Sequence, residues 1–309
     1  MKVLVLGANG FIGSRLVDRL IKDGHQVRIL TRTQGKVTNE NTETFVGDLK
    51  DQDLDFVALL DDCEVIFNCA GEIRNESLMH ELHVASTQRF LKAITEISNR
   101  TIHWVQLSSV GAYGSVPNVE RVVTEETEVN PKGQYEVTKT IADQCIVSVQ
   151  NNENFTFSIL RPSNVFGPGM PNNSIRQLIG IVRRRLFFYV GSNDAISTYI
   201  HVDDVVSALM LCGFDSRAKG EIFNISNDCF LRDVIAGIAA GVAVPAPKVV
   251  LPESLVRLGV SVASVLTKGL ITQERVNALT ARTRYPVTKI ETVLGFVPQK
   301  YVPENICEI

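Results

Sequence analysis

The chain's opening stretch restricts its fold more than any other. "KVLVLG" is a short, continuous apolar run, and it passes through "ANG" into "FIGSRLVDRLIKDG", whose apolar residues recur at helical spacing until Gly24. The same alternation then repeats. "QVRILT" and "TETFVGD" read as strands, "DLDFVALLDDC" as a helix, "EVIFNCAG" as a fourth strand and "ESLMHELHVASTQRFLKAITEIS" as a long helix. "TIHWVQLSS" follows as a fifth strand, "QYEVTKTIADQCIVSVQNN" as a helix and "FTFSILRP" as a sixth strand. Apolar strands separated by helices predict a parallel sheet covered on both faces. Right-handed crossovers make it doubly wound.

Beyond Pro168 the pattern loosens, with Pro and Gly punctuation at 168–171 and 241–252. A chain of 309 residues, 45% hydrophobic, can hold one large core or two unequal lobes. The reading is an α/β fold with a smaller, irregular C-terminal substrate lobe. "YIHVDDVVSALMLCGFD" and "EIFNIS" again look like main-sheet elements. The division is therefore residues 1–165 plus about 199–226 for the sheet domain, and about 166–198 plus 227–309 for the lobe.

Composition excludes several classes. A formal net charge of −3 offers nothing to nucleic acid. The run Arg183-Arg184-Arg185 is the exception to an otherwise dispersed charge, and it suits the solvated C-terminal end of a helix. The six cysteines form no CxxC and no metal spacing, so no metal is expected and the setting reads as a reducing cytoplasm. The apolar run Val3 to Leu6 is too short for a signal peptide. Residues 258–267 are too few to span a bilayer and read as a buried or pocket-lining helix.

Gly7, Gly10 and Gly13 are spaced G-x-x-G-x-x-G, directly after the first strand and at the start of the first helix. That context is the condition for a dinucleotide fingerprint. Gly7 permits the tight turn, Gly10 leaves room for a pyrophosphate, and Gly13 lets helix and strand pack closely. The helix start offers free N–H groups and partial positive charge to phosphates. Asn9, Phe11 and Ile12 complete the turn and are expected beside the cofactor with it. An NAD-binding sheet usually carries Asp or Glu at the end of its second strand, for the ribose 2′-hydroxyl. Here Thr31 stands in that place, Arg32 follows, and Lys36 is near. The Arg fork can donate two hydrogen bonds to a 2′-phosphate, which favours NADP(H) over NAD(H).

In "KGQYEVTKT", Tyr135 and Lys139 are four residues apart and point the same way on a helix. Such a pair arises by chance on many helices. Upstream, however, the fifth strand ends in "LSSVGAYG", at the sheet edge where ligands sit, with Ser109 26 positions before Tyr135. Further motifs are "GDL" at 47–49, "NCAG" at 68–71, "LRPSNVFGPG" at 160–169, "YIHVDDVVSA" at 199–208 and "FNIS" at 223–226. With "GANGFIG", "SSVGAYG" and "YEVTK" they run in order over about 220 residues, and "VLGFVP" carries the likeness into the tail. The chain resembles an extended short-chain dehydrogenase/reductase, of the NAD-dependent epimerase/dehydratase kind.

The resemblance implies a Rossmann enzyme with Ser109, Tyr135 and Lys139 as catalytic residues. Tyr135 would exchange a proton with the substrate oxygen. A phenol with a pKa near 10 is a poor base at neutral pH, so Lys139 and a positive nicotinamide would lower it. Lys139 would also bind the nicotinamide ribose, and Ser109 would hydrogen-bond the oxygen where charge develops. Asp48 and Leu49 would meet the adenine. Cys69, Ala70 and Gly71 would line the pyrophosphate and ribose, and Pro162 and Val165 would border the nicotinamide. Asn164 matches a residue that holds phosphates in nucleotide-sugar members, or else caps a turn before Gly167. Glu72 and Arg74 would face substrate or form a solvated loop. His201 reads as a structural hydrogen-bonding histidine.

Three departures stand out. His83 and Ser86 replace a usual Asn and a common Gly. No Arg lies between Gly191 and His201 to take a substrate diphosphate, so Arg176 or residues 183–185 would have to substitute. Val110-Gly111 follows Ser109 where dehydratases of the family carry Asp-Glu. The first reading is an NADP(H)-dependent reductase of a keto-sugar nucleotide. A nucleotide-sugar epimerase with tightly bound NAD and a reductase of a hydrophobic ketone, sterol- or flavonoid-like, stay open. A non-catalytic nucleotide-binding subunit is disfavoured by the retained Tyr–Lys pair. The expected partner is a small-molecule substrate, in the first place a nucleotide sugar; a homodimer stays open.

Overall fold

The computed structural model describes residues 1–33, 40–96, 100–116, 119–192, 194–266 and 273–309, and of 261–266 the backbone alone. In chain order the first half holds β1 (Lys2–Leu6), α1 (Phe11–Lys22), β2 (Gln26–Thr31), β3 (Thr42–Val46), α2 (Phe56–Leu60) and β4 (Val65–Asn68). α3 (Glu76–His80) runs through a π-helical turn at Glu81–Ala85 into α4 (Ser86–Glu96). Then come β5 (Ile102–Leu107), β6 (Glu120–Val122), α5 (Gln134–Ser148), β7 (Phe155–Pro162) and β8 (Asn164–Phe166). The remainder comprises α6 (Ser174–Arg183), β9 (Tyr189–Val190), β10 (Ile196–Ser197), β11 (Tyr199–His201), α7 (Val202–Phe214), β12 (Glu221–Ile225), β13 (Cys229–Phe230) and α8 (Leu231–Gly241). It ends with β14 (Val250–Leu251), α9 (Glu253–Leu266), α10 (Gln273–Leu279), β15 (Arg282–Arg284), α11 (Thr288–Leu294) and α12 (Val302–Asn305).

Seven strands form one parallel sheet in the order β12-β7-β5-β4-β1-β2-β3. Apart from the half-exposed edge strand β3, the strands are largely apolar on both sides because both faces are covered. Val3 and Val5 point into one core with Leu16, Val17 and Leu20 of α1 and Val205 and Leu209 of α7. Leu4 and Leu6 point into the other, with Phe90, Leu91 and Ile94 of α4 and Ile146 of α5. On α1 the buried residues fall at i, i+3, i+4 and i+7 from Gly13, the helical spacing read in the sequence. Each of its fully buried leucines stabilises the packed state by about 1.5–3 kcal/mol. α1 stops where Gly24 turns left-handed, at φ +84°.

A third core gathers Phe166, Met170, Ile175, Val182, Phe187, Leu231, Val234 and Ile238, from elements after β7. There the structure departs from the sequence reading. β12 takes the sheet edge beside β7, as expected, but β11 does not join the sheet: it pairs with β8 in a separate two-stranded ribbon. The edge of β7 is already filled, so a three-residue strand finds its partner on the chain's continuation past Pro162. The helix expected in "DLDFVALLDDC" is a single short turn, capped by Asp55 accepting from Ala58 N at 3.0 Å. α9 is helical as read, but Leu258 is exposed rather than buried, Val260 is buried, and the side chains of 261–267 lie outside the described residues.

Candidate active site

β1 and β4 are neighbours, with Leu6 opposite Asn68, whereas β2 lies on the other side of β1. The sheet order reverses there, and the loops after β1 and β4 converge at the crevice. A Cβ on Gly7, whose φ is +75°, would fall 2.7 Å from Ala70 N and the Cys69 carbonyl. A Cβ on Gly13 would fall 2.2 Å from Gly7 O. Glycine is therefore required at both positions for this approach. Gly10 is the N-cap of α1, with no side-chain cap and no acidic residue in the first turn. The first-turn N–H groups remain open, which fits an anion and hence the pyrophosphate of a dinucleotide.

At the end of β2, Thr31 is buried, and its Oγ1 accepts from Asn9 Nδ2 at 3.0 Å and donates to Thr33 O at 3.2 Å. Thr31 thus braces the glycine turn. Arg32 is exposed and has no partner among the described residues, and Lys36 lies outside them. Asp48 accepts from Lys50 N at 3.0 Å, and Leu49 O accepts from Arg89 of α4 at 2.5 Å, so the loop after β3 is held near the same edge.

Ser109 lies two residues past β5 and caps a 3-10 turn, Val110–Tyr113, with its Oγ accepting from Gly111 N at 3.0 Å. That leaves its hydroxyl proton free to donate. α5 begins after Gly133 and turns Thr138, Lys139, Ala142, Asp143 and Ile146 inward. Tyr135 and Lys139 lie one turn apart on that side, and neither the phenol oxygen nor Lys139 Nζ has a hydrogen-bond partner among the described residues. Burial, with the negative Glu136 and Asp143 nearby, pushes the Tyr135 phenol up to about 12. Burial pushes Lys139 itself down, and Asp143 counters.

Beneath the pair lies a polar network the sequence reading missed. Arg161 Nε and Nη2 donate to Asp143 Oδ2 at 3.1 and 3.0 Å, and Ser108 Oγ donates to the same oxygen at 2.7 Å. Arg161 Nη1 donates to Tyr113 OH at 3.0 Å, which donates to Asn224 Oδ1 at 2.9 Å. Every member is buried. Ser108 adjoins Ser109, Asp143 lies one turn past Lys139, and Arg161 adjoins Pro162. The network therefore fixes β5, α5 and β7 relative to one another. Its signal was available: an Arg inside an apolar strand and a carboxylate on a buried helix face both demand partners.

A family model described as "NAD dependent epimerase/dehydratase family" matches residues 3–226. The chain belongs to that family. UDP-glucose 4-epimerase of Mycolicibacterium smegmatis is 28% identical, covering 100% of this chain and 97% of that protein. Sterol-4-alpha-carboxylate 3-dehydrogenase, decarboxylating, of Mus musculus is 24% identical over 77% of this chain and 68% of its own length. The UDP-glucuronic acid 4-epimerase of Bacillus cereus, solved in complex with NAD, superposes with a TM-score of 0.75 at 20% identity, covering 100% of this chain and 97% of that one. The protein is an NAD(P)-dependent enzyme of the short-chain dehydrogenase/reductase type.

Other family positions are only partly available to a ligand. Asn164 makes no turn cap; its Nδ2 donates across the ribbon to Thr198 O at 3.0 Å, leaving Oδ1 open. Glu72 Oε1 accepts from the N–H groups of Ile73, Arg74 and Asn75 at 2.9, 2.7 and 3.1 Å, so it closes its own loop. Arg74 donates to Pro171 O at 3.2 Å and ties that loop to the start of the C-terminal elements. Arg176 is bonded to Met170 O and Asn173 Oδ1 at 3.0 and 3.3 Å, and residues 183–185 lie at the far end of α6. A cation does lie alongside the strand before His201. Ile196 N donates to Ala281 O at 2.7 Å, and the next residue, Arg282, donates to Ser192 Oγ at 2.7 Å and pairs with Asp194 at 3.1 Å. His201 is structural, accepting from Asp203 N at 3.2 Å as the N-cap of α7.

His83, which replaces the family's usual Asn, sits in the π-helical turn. Such turns re-aim side chains at functional sites. Its Nε2 accepts from Glu72 N at 2.9 Å, so Nδ1 carries the proton and donates to Thr138 Oγ1 at 2.8 Å. Its ring meets Tyr135 edge-on at 5.6 Å. Burial, reinforced by the Lys139 charge, holds His83 down at about 3. The folded value lies below the unfolded 6.5, so the unfolded chain binds the proton more tightly in between. The stability tied to neutral His83 is full above about pH 6.5 and is lost as pH falls toward 3. The advantage of wild type over His83→Asn should therefore shrink by about 2 kcal/mol between pH 7.5 and 5. Urea unfolding of both proteins at the two pH values measures this; a gap independent of pH would contradict it.

Proposed function

We propose that the protein reduces a keto group of a nucleotide sugar with NADPH. The observation that carries this reading is the end of β2, where a braced Thr31 and an exposed Arg32, without a partner among the described residues, replace the acid that holds an NAD ribose. A charged fork there suits a 2′-phosphate. Bound NADPH would supply the hydride. Gly7, Gly10 and Gly13 would admit its pyrophosphate, Cys69 to Gly71 would line it, and Lys139, without a hydrogen-bond partner among the described residues, would hold its ribose hydroxyls. Tyr135 would give its proton to the substrate oxygen while the Ser109 hydroxyl donates to the same atom. A phenol pushed up to about 12 is protonated at neutral pH, the form an acid needs. The alkoxide produced by reduction is a stronger base than the phenolate left behind, so the transfer runs downhill.

For the substrate diphosphate we assign Asn164 and Arg282, since Arg176 is held by its own loop. A guanidinium with five donors retains capacity beyond Ser192 and Asp194. The elements of about 166–198 and 227–309 would form the substrate lobe against residues 1–165 and 199–226. A nucleotide-sugar 4-epimerase is the second reading, favoured by the full-length likeness to a UDP-glucose 4-epimerase. Deuterium decides between them. With NADPH deuterated at C4, a reductase places one label in the product for each cofactor consumed, whereas an epimerase interconverts sugars with no net consumption.

Cofactor choice has its own test. Arg32→Ala should weaken NADPH binding roughly ten- to a hundredfold and leave NADH unchanged, the scale of one charged, bidentate contact. Calorimetry with both cofactors reads it. If wild type binds NADH as tightly as NADPH, Arg32 is only a solvated charge, and the epimerase reading gains.

A further inference from the structure

We propose that the C-terminal elements carry a docking surface for an anionic phospholipid bilayer. α6 ends at Arg183, and Arg183, Arg184 and Arg185 are all exposed, with no carboxylate partner among the described residues. The next residue, Leu186, is 65% exposed. Three residues on, β9 pairs in parallel with β14, which brings Lys248, Val249, Val250 and Leu251 alongside, all exposed. α9 starts two residues later and turns Leu255 and Leu258, 62% and 64% exposed, to solvent one helical turn apart. Its opposite side, Val256 and Val260, packs with Val190 of β9. Six large aliphatic side chains therefore line one rim together with four cations. Of the carboxylates nearby, Glu253 is held by Arg257 at 2.7 Å, and Asp233, whose charge reaches Tyr189 of β9, pairs with Arg232 at 3.8 Å.

Scattered apolar residues on a surface are ordinary, but a contiguous group marks an interface. The chemistry selects the partner. Aliphatic side chains flanked by unneutralised arginines fit the boundary between acyl chains and acidic headgroups, where long cationic side chains reach outward to phosphate. A protein partner would more usually be anchored by exposed aromatics, and none of the six is aromatic. A second copy docking across a twofold axis would set the arginine run against itself. Among the described residues no helix is long and apolar enough to cross a membrane, so the contact would be peripheral. A cavity of about 120 Å³ beside Arg282 is lined by Val190 and Glu253, so the rim adjoins the end of the site assigned to the diphosphate.

Co-sedimentation of the full chain with large unilamellar vesicles tests the surface without reference to activity. Vesicles of phosphatidylglycerol and phosphatidylcholine should bind the protein, pure phosphatidylcholine should bind it weakly, and half-molar salt should reverse binding. Each arginine near an anionic surface is worth about a fivefold change in partitioning, so R183Q/R184Q/R185Q should lose about a hundredfold. Leu255→Ser with Leu258→Ser should lose roughly tenfold. All five positions are exposed, and unchanged thermal unfolding verifies the fold. Failure of millimolar anionic lipid to sediment wild type would overturn the proposal, and so would equal binding by the variants. A self-association in sedimentation velocity that the same substitutions abolish, with no vesicle binding, would assign the rim to a second copy instead.

Discussion

Tyr135→Phe should lower turnover a hundredfold or more while leaving the fold and NADPH affinity near wild type. The phenol oxygen has no hydrogen-bond partner among the described residues, so its removal strands no buried donor or acceptor. The ring keeps its edge-on contact with His83 at 5.6 Å. The loss is confined to the proton delivered in the transition state, and a hundredfold corresponds to about 2.7 kcal/mol of barrier. Ser109 would still donate to the substrate oxygen, but its hydroxyl gives up a proton far less readily. Single-turnover oxidation of NADPH separates this step from binding, and calorimetry confirms that the cofactor is held. A variant that turns over at the wild-type rate would remove Tyr135 from the chemistry and leave Ser109 or a water as the acid.

The glycine cradle and the parallel, doubly covered sheet were legible because each rests on a local rule. Gly7, Gly10 and Gly13 have a spacing that only close backbone approach explains, and strands of four to eight apolar residues signal burial on both faces. The rest was hidden for particular physical reasons. The apolar periodicity of 76–96 runs unbroken, so nothing in it announces the π-helical turn that swings His83 onto Tyr135. β11 and β15 are three residues each, too short to carry a pattern, and tertiary context alone decides their pairing. Arg282, at the start of β15, therefore carries no sequence signal of its place beside the strand before His201. Glu72 and Arg74 follow β4, but composition cannot reveal that one folds onto its own loop while the other reaches Pro171. On α9 the apolar run of 258–267 suggested a buried or pocket-lining helix, whereas among the described side chains Val256 and Val260 face the core and Leu255 and Leu258 face solvent.

Arg161→Met should destabilise the protein by about 3–5 kcal/mol, the cost of leaving one member of a buried ion pair alone. The pair is shielded, with side-chain exposures of 6% for Arg161 and 2% for Asp143, so water cannot replace the lost guanidinium. Burial already works to raise the Asp143 carboxyl, against the pull of Arg161, the Ser108 hydroxyl and Lys139. Asp143 Oδ1 has no hydrogen-bond partner among the described residues, which leaves the carboxylate dependent on what Oδ2 receives. For a chain of this length the expected drop in melting temperature is roughly 5–8 °C. Removing both charges should cost less than the two single changes added together, because neither then leaves a buried charge unpaired. Arg161→Met combined with Asp143→Leu is therefore expected to recover much of the loss. The same double variant should remain slow in catalysis, since Ser109, Tyr135, Lys139 and Pro162 would lose the tie that fixes their elements. A single variant within 1 kcal/mol of wild type, or strictly additive losses, would show that packing rather than the ion pair holds β5, α5 and β7 in register.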